Sequence, residues 1–332
     1  MGKKLEWGLL STAKINKALF APLKASGRNT LRAVASRDAN RAADYARKNK
    51  IPKWHGSYEE LLADPAIDII YNSLPNHLHM EWTVKAVQAG KHVLCEKPLA
   101  LSVQEVDSIS SAAAHHNRVV VEALMYRSHA LTCKVREIIQ AGKLGKVSLV
   151  RGSFSYHGTG PDDYRLKKEM GGGALWDVGI YPLGYTRHVL GTEPLEVFGW
   201  ETRSSTGVDE SFAAQLRFPG DVYLQMDCSM ARPYHVFMEF IGDEATLVVP
   251  QPFNPTPKES LYLTRKGLTQ TIQVKGTGTY VGEVESMADA VLSGTAPAVS
   301  LADSRATVEI VQALFESASL GKPVQLPPDT RS

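Results

Sequence analysis

The chain has 332 residues, enough for about two domains, since single hydrophobic cores usually stop growing at roughly 250 residues. Hydrophobic residues make up 43% and charged residues 22%, a composition typical of globular proteins that excludes a disordered or fibrous chain. The 37 basic and 35 acidic residues leave a net charge of +2. That charge is too small to draw in nucleic acid or an anionic membrane, so a small molecule is the expected partner.

The cysteines and the apolar runs bear on where the protein works. Cys95, Cys133 and Cys228 are far apart and odd in number, with no Cys-x-x-Cys motif and no histidine at ligand spacing, which predicts neither disulfides nor a metal site. Glu6 interrupts the first apolar run before it reaches the length of a signal peptide. No uninterrupted apolar run attains the roughly 18 residues of a membrane span. We therefore expect a reduced, cytoplasmic protein.

Short apolar runs alternate with helical patterns in the first part of the chain. The predicted strands cover residues 6–10, 30–35, 67–73, 91–95 and 119–121. The predicted helices between them cover residues 14–26, 39–50, 78–89 and 103–116. This alternation is typical of parallel βαβ units, so we predict a doubly wound α/β domain of the Rossmann type over residues 1–122.

The pattern changes after a helix predicted at residues 133–141. Alternating segments predict strands at residues 147–156, 196–202, 211–218, 222–229, 236–241 and 261–264. Turn signals at Pro219-Gly220-Asp221, Gly242-Asp243 and Lys266-Gly267 predict antiparallel hairpins between consecutive strands. Helices at 281–292 and 301–320 close the chain. We predict an α+β domain with a large sheet over residues 123–332, and a rigid loop at the Pro-rich stretch 250–257, where Phe253 lines a site only if it faces the cleft.

A dinucleotide-binding turn is predicted after the first strand. Residues 8–16 occupy the place of a strand end, a tight turn and a helix start, where backbone N–H groups and the helix dipole receive a pyrophosphate. The fingerprint is imperfect, because Ser11, Ala13 and Asn16 stand where a glycine-rich motif has its three glycines. Small residues still let phosphates approach, but an ordinary βα turn remains an equal alternative.

The end of the second predicted strand bears on the choice of cofactor. An NAD site usually has an Asp or Glu there to accept from the ribose hydroxyls, whereas this chain has Ser36 and Arg37, with Arg41 one helical turn on. A hydroxyl beside guanidinium groups suits a phosphate dianion, which predicts a preference for NADP, with NAD possible. Alternatively, both arginines are solvated charges at a helix start and Asp38 is an N-cap.

Polar residues follow two further strands at the sheet edge where ligands of open α/β folds bind. Asn76 and His79 come after the third predicted strand, within reach of a nicotinamide, although a lone histidine is more often structural. His77 and His79 point to different sides of a helix, so they do not predict a metal pair. Lys97, between Glu96 and Pro98, follows the next strand and is predicted to be poised rather than buried.

A second chemistry-bearing segment follows three consecutive glycines at 171–173. Asp177 and Tyr181 stand at i and i+4, so on a helix their side chains share a face. A phenol donates a proton to a carbonyl if a nearby ammonium lowers its pKa from about 10 toward neutrality; without the lysine, Tyr181 would be an ordinary packing residue. Pro182 would distort a helix interior, which predicts a helix that starts late or bends here.

At these residues the chain resembles the glucose-fructose oxidoreductase / inositol dehydrogenase (Gfo/Idh/MocA) family over nearly its whole length. Within the family it is most similar to the D-xylose dehydrogenase / trans-1,2-dihydrobenzene-1,2-diol dehydrogenase branch. The segments that carry the resemblance are residues 7–15, Glu96-Lys97-Pro98, Met125-Tyr126-Arg127 and the triple-glycine segment through Tyr181.

The resemblance implies a Rossmann domain followed by a domain with an open-faced sheet, NADP or NAD bound at the first, and a sugar or polyol above the nicotinamide. By position, Lys97 would bind the reacting oxygen, Tyr181 would exchange its proton and Asp177 would bind substrate hydroxyls. The positions implied to hold the cofactor are Ser11, Thr12, Ala13, Lys14, Ile15, Ser36, Arg37, Ser73, Leu74, Asn76, His79, Glu96 and Lys97, with Arg165 and Tyr280 also where relatives touch it.

The expected activity is hydride transfer between the nicotinamide and a CH–OH group of a sugar, polyol or cyclic diol. Inositol dehydrogenases carry histidine where Tyr181 stands, which argues against inositol as the substrate. Members are usually homodimers or homotetramers joined through the sheet. Two other functions stay open: a non-catalytic regulatory protein that binds NADP or a sugar, and an NAD-dependent glycosidase that oxidises and re-reduces its sugar transiently.

Overall fold

The computed structural model describes residues 4–158, 160 and 162–327. They form two compact units. The first comprises residues 4–125 and Tyr280–Arg305, and the second comprises Tyr126–Thr279 and residues 306–327. Each unit is built on one sheet.

The sheet of the first unit has six strands in the order β3-β2-β1-β4-β5-β6, and every neighbouring pair is parallel. The strands are β1 Leu5–Leu10, β2 Asn29–Ala35, β3 Lys53–His55, β4 Ile69–Asn72, β5 His92–Glu96 and β6 Val120–Ala123. The helices between them are α1 Lys17–Ala25, α2 Ala39–Asn49, α3 Tyr58–Ala63, α4 His79–Gln88 and α5 Val103–His115. The predicted doubly wound parallel sheet is confirmed, while β3 and α3 were not predicted.

The core of this unit is built on the sheet, because helices cover both faces of a parallel sheet and its central strands are then mostly apolar. Leu9, Val34, Ile70 and Val93 are completely buried on four adjacent strands. Trp7 is also completely buried, and its indole Nε1–H donates to Oδ1 of Asn29 at 2.8 Å. The carboxyl ends of these strands are therefore held rigidly at one edge of the sheet.

The sheet of the second unit has nine strands in the order β14-β13-β12-β11-β7-β10-β9-β8-β15. The strands are β7 Val147–His157, β8 Glu196–Arg203, β9 Asp209–Phe218, β10 Val222–Ser229, β11 Ala231–Gly242, β12 Thr246–Val249, β13 Lys258–Arg265, β14 Leu268–Lys275 and β15 Val324–Gln325. Neighbours are antiparallel except the pair β7 and β10. The mainly antiparallel second sheet and the three predicted hairpin turns are confirmed, and β12, β14 and β15 are additional.

Helices cover one face of this sheet. They are α6 Ala130–Gln140 and α7 Ile180–Leu190, and a π-helical turn, Leu175–Gly179, leads directly into α7. This turn and α7 pack against β7 and β10. Leu224 and Met238 lie on the covered face and are buried, whereas Trp200 lies on the opposite face and is 56% exposed.

Two more helices complete the described chain, α8 Thr279–Ser293 and α9 Leu301–Leu320, close to their predicted positions. Among the helices described, none has the length and apolar content needed to cross a membrane.

Candidate active site

The predicted dinucleotide turn follows β1 and is tied to the end of β4. Ser11 has φ of 143°, a conformation that favours glycine, which explains why a glycine motif usually stands here. Its hydroxyl lies 2.9 Å from that of Ser73 and accepts from the N–H of Ala13 at 3.1 Å. Asn16 donates to the carbonyl of Ser11 at 2.8 Å. These hydrogen bonds hold the turn in a conformation that glycine would otherwise adopt more easily than serine.

The geometry of this turn suits a pyrophosphate. It runs through Thr12 and Ala13 into the 3₁₀ turn Lys14–Asn16, and the side chain of its N-cap residue, Ala13, makes no capping hydrogen bond. Backbone N–H groups at such an end bind phosphate oxygens. Ile15 is 37% exposed beside them.

A groove of about 450 Å³ opens next to this turn. Its lining residues are Thr12, Asp38, Asn40, Arg41, Asp44, Tyr45 and Lys48. The volume is that of an ordinary small-molecule site, and Arg41 and Lys48 supply positive charge at its wall. The Tyr45 hydroxyl donates to the carbonyl of Ala13 at 3.4 Å, which fastens α2 to the turn.

The sequence left two alternatives for the residues after β2, a phosphate site and a helix N-cap, and the structure bears on the second. Asp38 is the N-cap of α2, since its carboxylate accepts from the N–H groups of Asn40 and Arg41 at 2.9 and 3.1 Å. Ser36 is buried, and its hydroxyl accepts from the N–H of Asp38 at 3.3 Å. Arg37 is exposed, and its charge opposes the rise that burial causes in the pKa of Tyr58. The N-cap is confirmed, whereas phosphate binding by Arg37 and Arg41 stays a prediction.

His79 anchors the loop that follows β4 through contacts with backbone carbonyl groups. This histidine is fully buried, with Nδ1 at 2.7 Å from the carbonyl oxygen of Pro98 and Nε2 at 2.7 Å from that of Leu74. Burial lowers the pKa of His79 to about 4, outweighing the two carbonyls that raise it. Ser73 and Asn76 of the same loop are also buried. His79 can therefore affect a cofactor only through the backbone of the two loops that it joins.

Glu96 is the last residue of β5, and Lys97 follows it. Glu96 interacts with Tyr71, Tyr280 and Glu283, and these four residues form an acidic cluster. The hydroxyl of Tyr71, on the neighbouring strand β4, donates to Oε1 of Glu96, and the N–H of Lys97 donates to Oε2 at 3.3 Å. Burial and the charge of Glu96 raise the pKa of Tyr280 on α8. The Glu96 carboxylate is thus oriented by Tyr71, with one side facing α8.

Glu283, one turn after Tyr280 on α8, is the most unusual member of this cluster. It is 7% exposed, and no described residue gives either carboxylate oxygen a hydrogen bond. Burial, followed by the charge of Glu96, raises its pKa well above the ordinary value. A buried carboxylate without a donor is costly to keep charged, so this environment favours the neutral form of Glu283.

The second unit carries Asp177 and Tyr181 on one continuous segment. Asp177 lies in the π-helical turn and Tyr181 in the first turn of α7, so the predicted α-helical i, i+4 pair runs through a π turn instead. Pro182 is the third residue of α7, and the segment before Ile180 is a π-helical turn, so the regular α-helix begins just ahead of the proline. The helix starts late, as the proline predicted.

Asp177 is held by one hydrogen bond and one ion pair. The Tyr156 hydroxyl donates to Oδ2 of Asp177 at 2.6 Å, and Arg165 Nε lies 3.0 Å from Oδ1. Asp163 pairs with the same guanidinium at 3.2 Å. Burial and the charge of Asp177 raise the pKa of Tyr156. Asp177 is only 6% exposed, and a carboxylate can accept several hydrogen bonds at once, including one from a hydroxyl group.

Tyr181 packs in a cluster of aromatic rings. Its ring centroid lies 5.8 Å from that of Tyr126, 5.3 Å from that of Phe154 and 5.6 Å from that of Phe253. Phe253 stacks on Phe154 at 5.4 Å, so the proline-rich loop places its phenyl ring beside that of Tyr181. Such packing fixes the position of the phenol.

Three residues next to the candidate groups were not predicted, namely Tyr71, Tyr156 and Glu283. Each lies in a strand or helix that was itself predicted, but the group with which it interacts is distant in the chain. The sequence offered a signal for Tyr71, because a tyrosine near the end of an otherwise apolar strand can reach a polar side chain at the sheet edge.

Two family models and related proteins match this chain over most of its length. A family model described as "Oxidoreductase family, NAD-binding Rossmann fold" matches residues 6–124, and one described as "GFO/IDH/MocA C-terminal domain" matches residues 132–248. A Haloferax volcanii protein called D-xylose 1-dehydrogenase (NADP(+)) 2 is 34% identical over 324 residues, 96% of this chain and 99% of its own. Human trans-1,2-dihydrobenzene-1,2-diol dehydrogenase is 33% identical over 231 residues, 68% of each chain.

A solved structure is similar to nearly the whole of this chain. It is the 3-ketoreductase KijD10 from Actinomadura kijaniata in complex with NADP and TDP-benzene, with a TM-score of 0.90 and 26% identity, covering 95% of this chain and 98% of the other.

Proposed function

The chain belongs to the GFO/IDH/MocA family of NAD(P)-dependent oxidoreductases, and we propose that it prefers NADP and transfers hydride between the nicotinamide and a CH–OH group of a sugar, polyol or related cyclic diol. The observation that carries the choice of substrate is the Asp177 carboxylate, held by Tyr156 and Arg165 four residues before Tyr181. A fixed acceptor beside a phenol suits a substrate with adjacent hydroxyls. The names of the relatives, a D-xylose dehydrogenase and a dihydrodiol dehydrogenase, support the same class.

In this proposal the first unit holds the cofactor. The turn from Ser11 to Ile15 binds the pyrophosphate, and Ser36, Arg37 and Arg41 bind the 2′-phosphate. The positions proposed nearer the nicotinamide are Ser73, Leu74, Asn76, Glu96, Lys97 and Tyr280, with Arg165 from the second unit, and His79 is proposed to act through the backbone of the loops that it joins. The bound nicotinamide supplies hydride chemistry, and the chain supplies alignment and proton transfer.

The proton is handled by Lys97 and Tyr181. In oxidation, Tyr181 as the phenolate takes the proton of the substrate hydroxyl and becomes the phenol, while the Lys97 ammonium binds the same substrate oxygen. In reduction, Tyr181 returns the proton to the carbonyl oxygen. Asp177 accepts from a neighbouring hydroxyl and so fixes which carbon presents its hydrogen. Phe154 and Phe253 exclude water from the side of the phenol that they cover.

We further propose a homodimer or homotetramer joined through the second sheet. Phe198 and Trp200 are packed edge to face at 4.2 Å on the outer face of β8, with Trp200 56% exposed, and exposed aromatic residues are enriched at protein interfaces. A cytoplasmic location is also proposed, supported by the three cysteines, which are all unpaired.

The test is a screen of nicotinamide absorbance with NADP and NAD in parallel, in both directions, against aldoses, polyols, trans-dihydrodiols and ketosugars. An NADP-linked signal with a hydroxyl substrate is the expected result. Silence with every pair, despite tight NADPH binding, would favour the regulatory protein. Release of an aglycone from an aryl glycoside without net reduction would favour the glycosidase.

A further inference from the structure

We propose that Asp209 is a positioning residue for Asp177 and Tyr181, because its carboxylate holds the amino end of the π-helical turn that carries them. This inference rests on the proposed function, since it concerns how the two proposed catalytic side chains are aligned. Asp209 begins β9, 28 residues after Tyr181 in the chain, and it takes no direct part in the proposed proton transfer.

The contact is short and buried. Oδ2 of Asp209 accepts from the N–H of Leu175, the first residue of the π-helical turn, at 2.7 Å. Asp209 is 3% exposed and Leu175 is completely buried. The first N–H groups of a helical segment have no partner within it, so this carboxylate satisfies a donor that would otherwise be lost in the core. A charge-assisted bond of this length is among the stronger kinds in proteins.

The same carboxylate also explains one of the three glycines. Gly173 has φ of 119°, and a Cβ atom there would lie 1.9 Å from Oδ1 of Asp209. The backbone of Gly173 therefore passes directly against the carboxylate, and the N–H of Asp177 donates to the carbonyl of Gly173 at 3.0 Å. Asp209 thus reaches Asp177 through two backbone links, by way of Leu175 and by way of Gly173.

The Asp209 carboxyl titrates near neutral pH, chiefly because it is buried. Burial raises its pKa to about 7, opposed by N–H groups that include that of Leu175. The charged and titratable groups facing it are Glu201 and Arg203 on β8 and Cys228 on β10. Glu201 accepts from Arg203 Nε at 2.9 Å, which limits its effect on Asp209. Both the ionised and the neutral acid are therefore populated near neutral pH.

The deciding measurement is hydrogen exchange of the peptide covering residues 171–181 in the full chain, which needs no substrate. In Asp209→Ala we expect exchange of this peptide to rise about 10-fold or more, because its first N–H loses a buried acceptor. Asp209→Asn keeps an acceptor oxygen and should stay within about 3-fold of wild type. Ser211→Ala is the matched control: it removes a buried 2.7 Å contact with Ser229 from the same strand without touching the turn.

Kinetics provide the second readout. Asp209→Ala should lower kcat about 10- to 100-fold, as expected for misplaced catalytic groups, while the Kd for NADPH stays unchanged. Asp209→Asn should restore most of kcat and remove one ionisation near neutrality from the kcat profile. If Asp209→Ala does not fold, the Asp209→Asn pH profile and the Gly173→Ala variant, which presses on the same carboxylate, decide the question.

Unchanged exchange of residues 171–181 in Asp209→Ala, or an equal rise in Ser211→Ala, would overturn the proposal. So would a pH profile of Asp209→Asn that is identical to wild type. Absence of hydride transfer with every substrate would count against the proposed function alone, because the exchange comparison would still show whether Asp209 holds the turn.

Discussion

The hydroxyl of Tyr71 donates a hydrogen bond to the carboxylate of Glu96 across two adjacent parallel strands. This bond fixes the side chain that precedes Lys97, in a place where a second acid, Glu283, has no hydrogen-bond partner among the described residues. Glu96 is proposed to bind the cofactor, so its orientation should matter for affinity.

Tyr71→Phe removes this donor while keeping the ring. A hydrogen bond to a charged group is worth about 1.5–3 kcal/mol, so the Kd for NADPH should rise about 10-fold or more, with little change in fold. A fluorescence titration measures it. Tyr262→Phe, on the sheet of the second unit, is the control and should bind as wild type does. Equal affinity of Tyr71→Phe and wild type would show that Glu96 does not need this bond.

Lys97→Met tests the proposed proton relay. The ammonium is lost while a side chain of similar length remains, so NADP should still bind and kcat should fall by about two orders of magnitude or more. Lys85→Met, which removes an exposed lysine paired with Glu81 at 2.5 Å, controls for loss of one surface charge. Near-normal turnover in Lys97→Met would remove this residue from the mechanism.

Arg37→Asp tests the cofactor preference. A carboxylate would repel the 2′-phosphate of NADP and accept from the ribose hydroxyls of NAD, so the ratio of kcat/KM for NADP to that for NAD should fall about 10-fold or more. Lys24→Asp changes the net charge by the same amount at an exposed site on α1. If both variants move the ratio equally, the effect is one of general charge and the phosphate assignment fails.

The sequence predicted the elements whose pattern is local and missed those that depend on neighbours. β1 and β2 are apolar runs and were found, whereas β3 has three residues, two of them exposed, too few for an alternation. β14 carries almost no buried residue, so it lacks the apolar face that identifies a strand. Its pairing with β13 supplies the order that its own residues do not predict.

The candidate site shows the same division. Lys97, Asp177 and Tyr181 stand in recognisable local motifs, and the sequence predicted them. Tyr71 and Tyr156 contact carboxylates 25 and 21 residues away, through strand neighbours and segment packing that no local pattern specifies. Asp209 and Leu175 are 34 residues apart in the chain, so no local sequence pattern predicts their contact either.

Glu283→Gln tests the state of the buried acid. Because burial raises the folded pKa of Glu283 above its ordinary value of 4.5, the folded chain keeps a proton that the unfolded chain releases. The contribution of Glu283 to stability is therefore fully present below the ordinary pKa and is lost as the pH rises toward the folded one. Glutamine has no proton to lose, so the variant should gain on wild type as pH increases.

The measurement is the difference in Tm between Glu283→Gln and wild type, taken at about pH 5 and at about pH 8. The variant should be closest to wild type at the lower pH and more stable than it at the higher one. Glu285→Gln, which alters a partly exposed neighbour on α8 that pairs with Arg28, should show no such rise. A Glu283→Gln difference that is flat with pH would mean that Glu283 is charged in the folded protein, and a cation or donor would then have to be found for it.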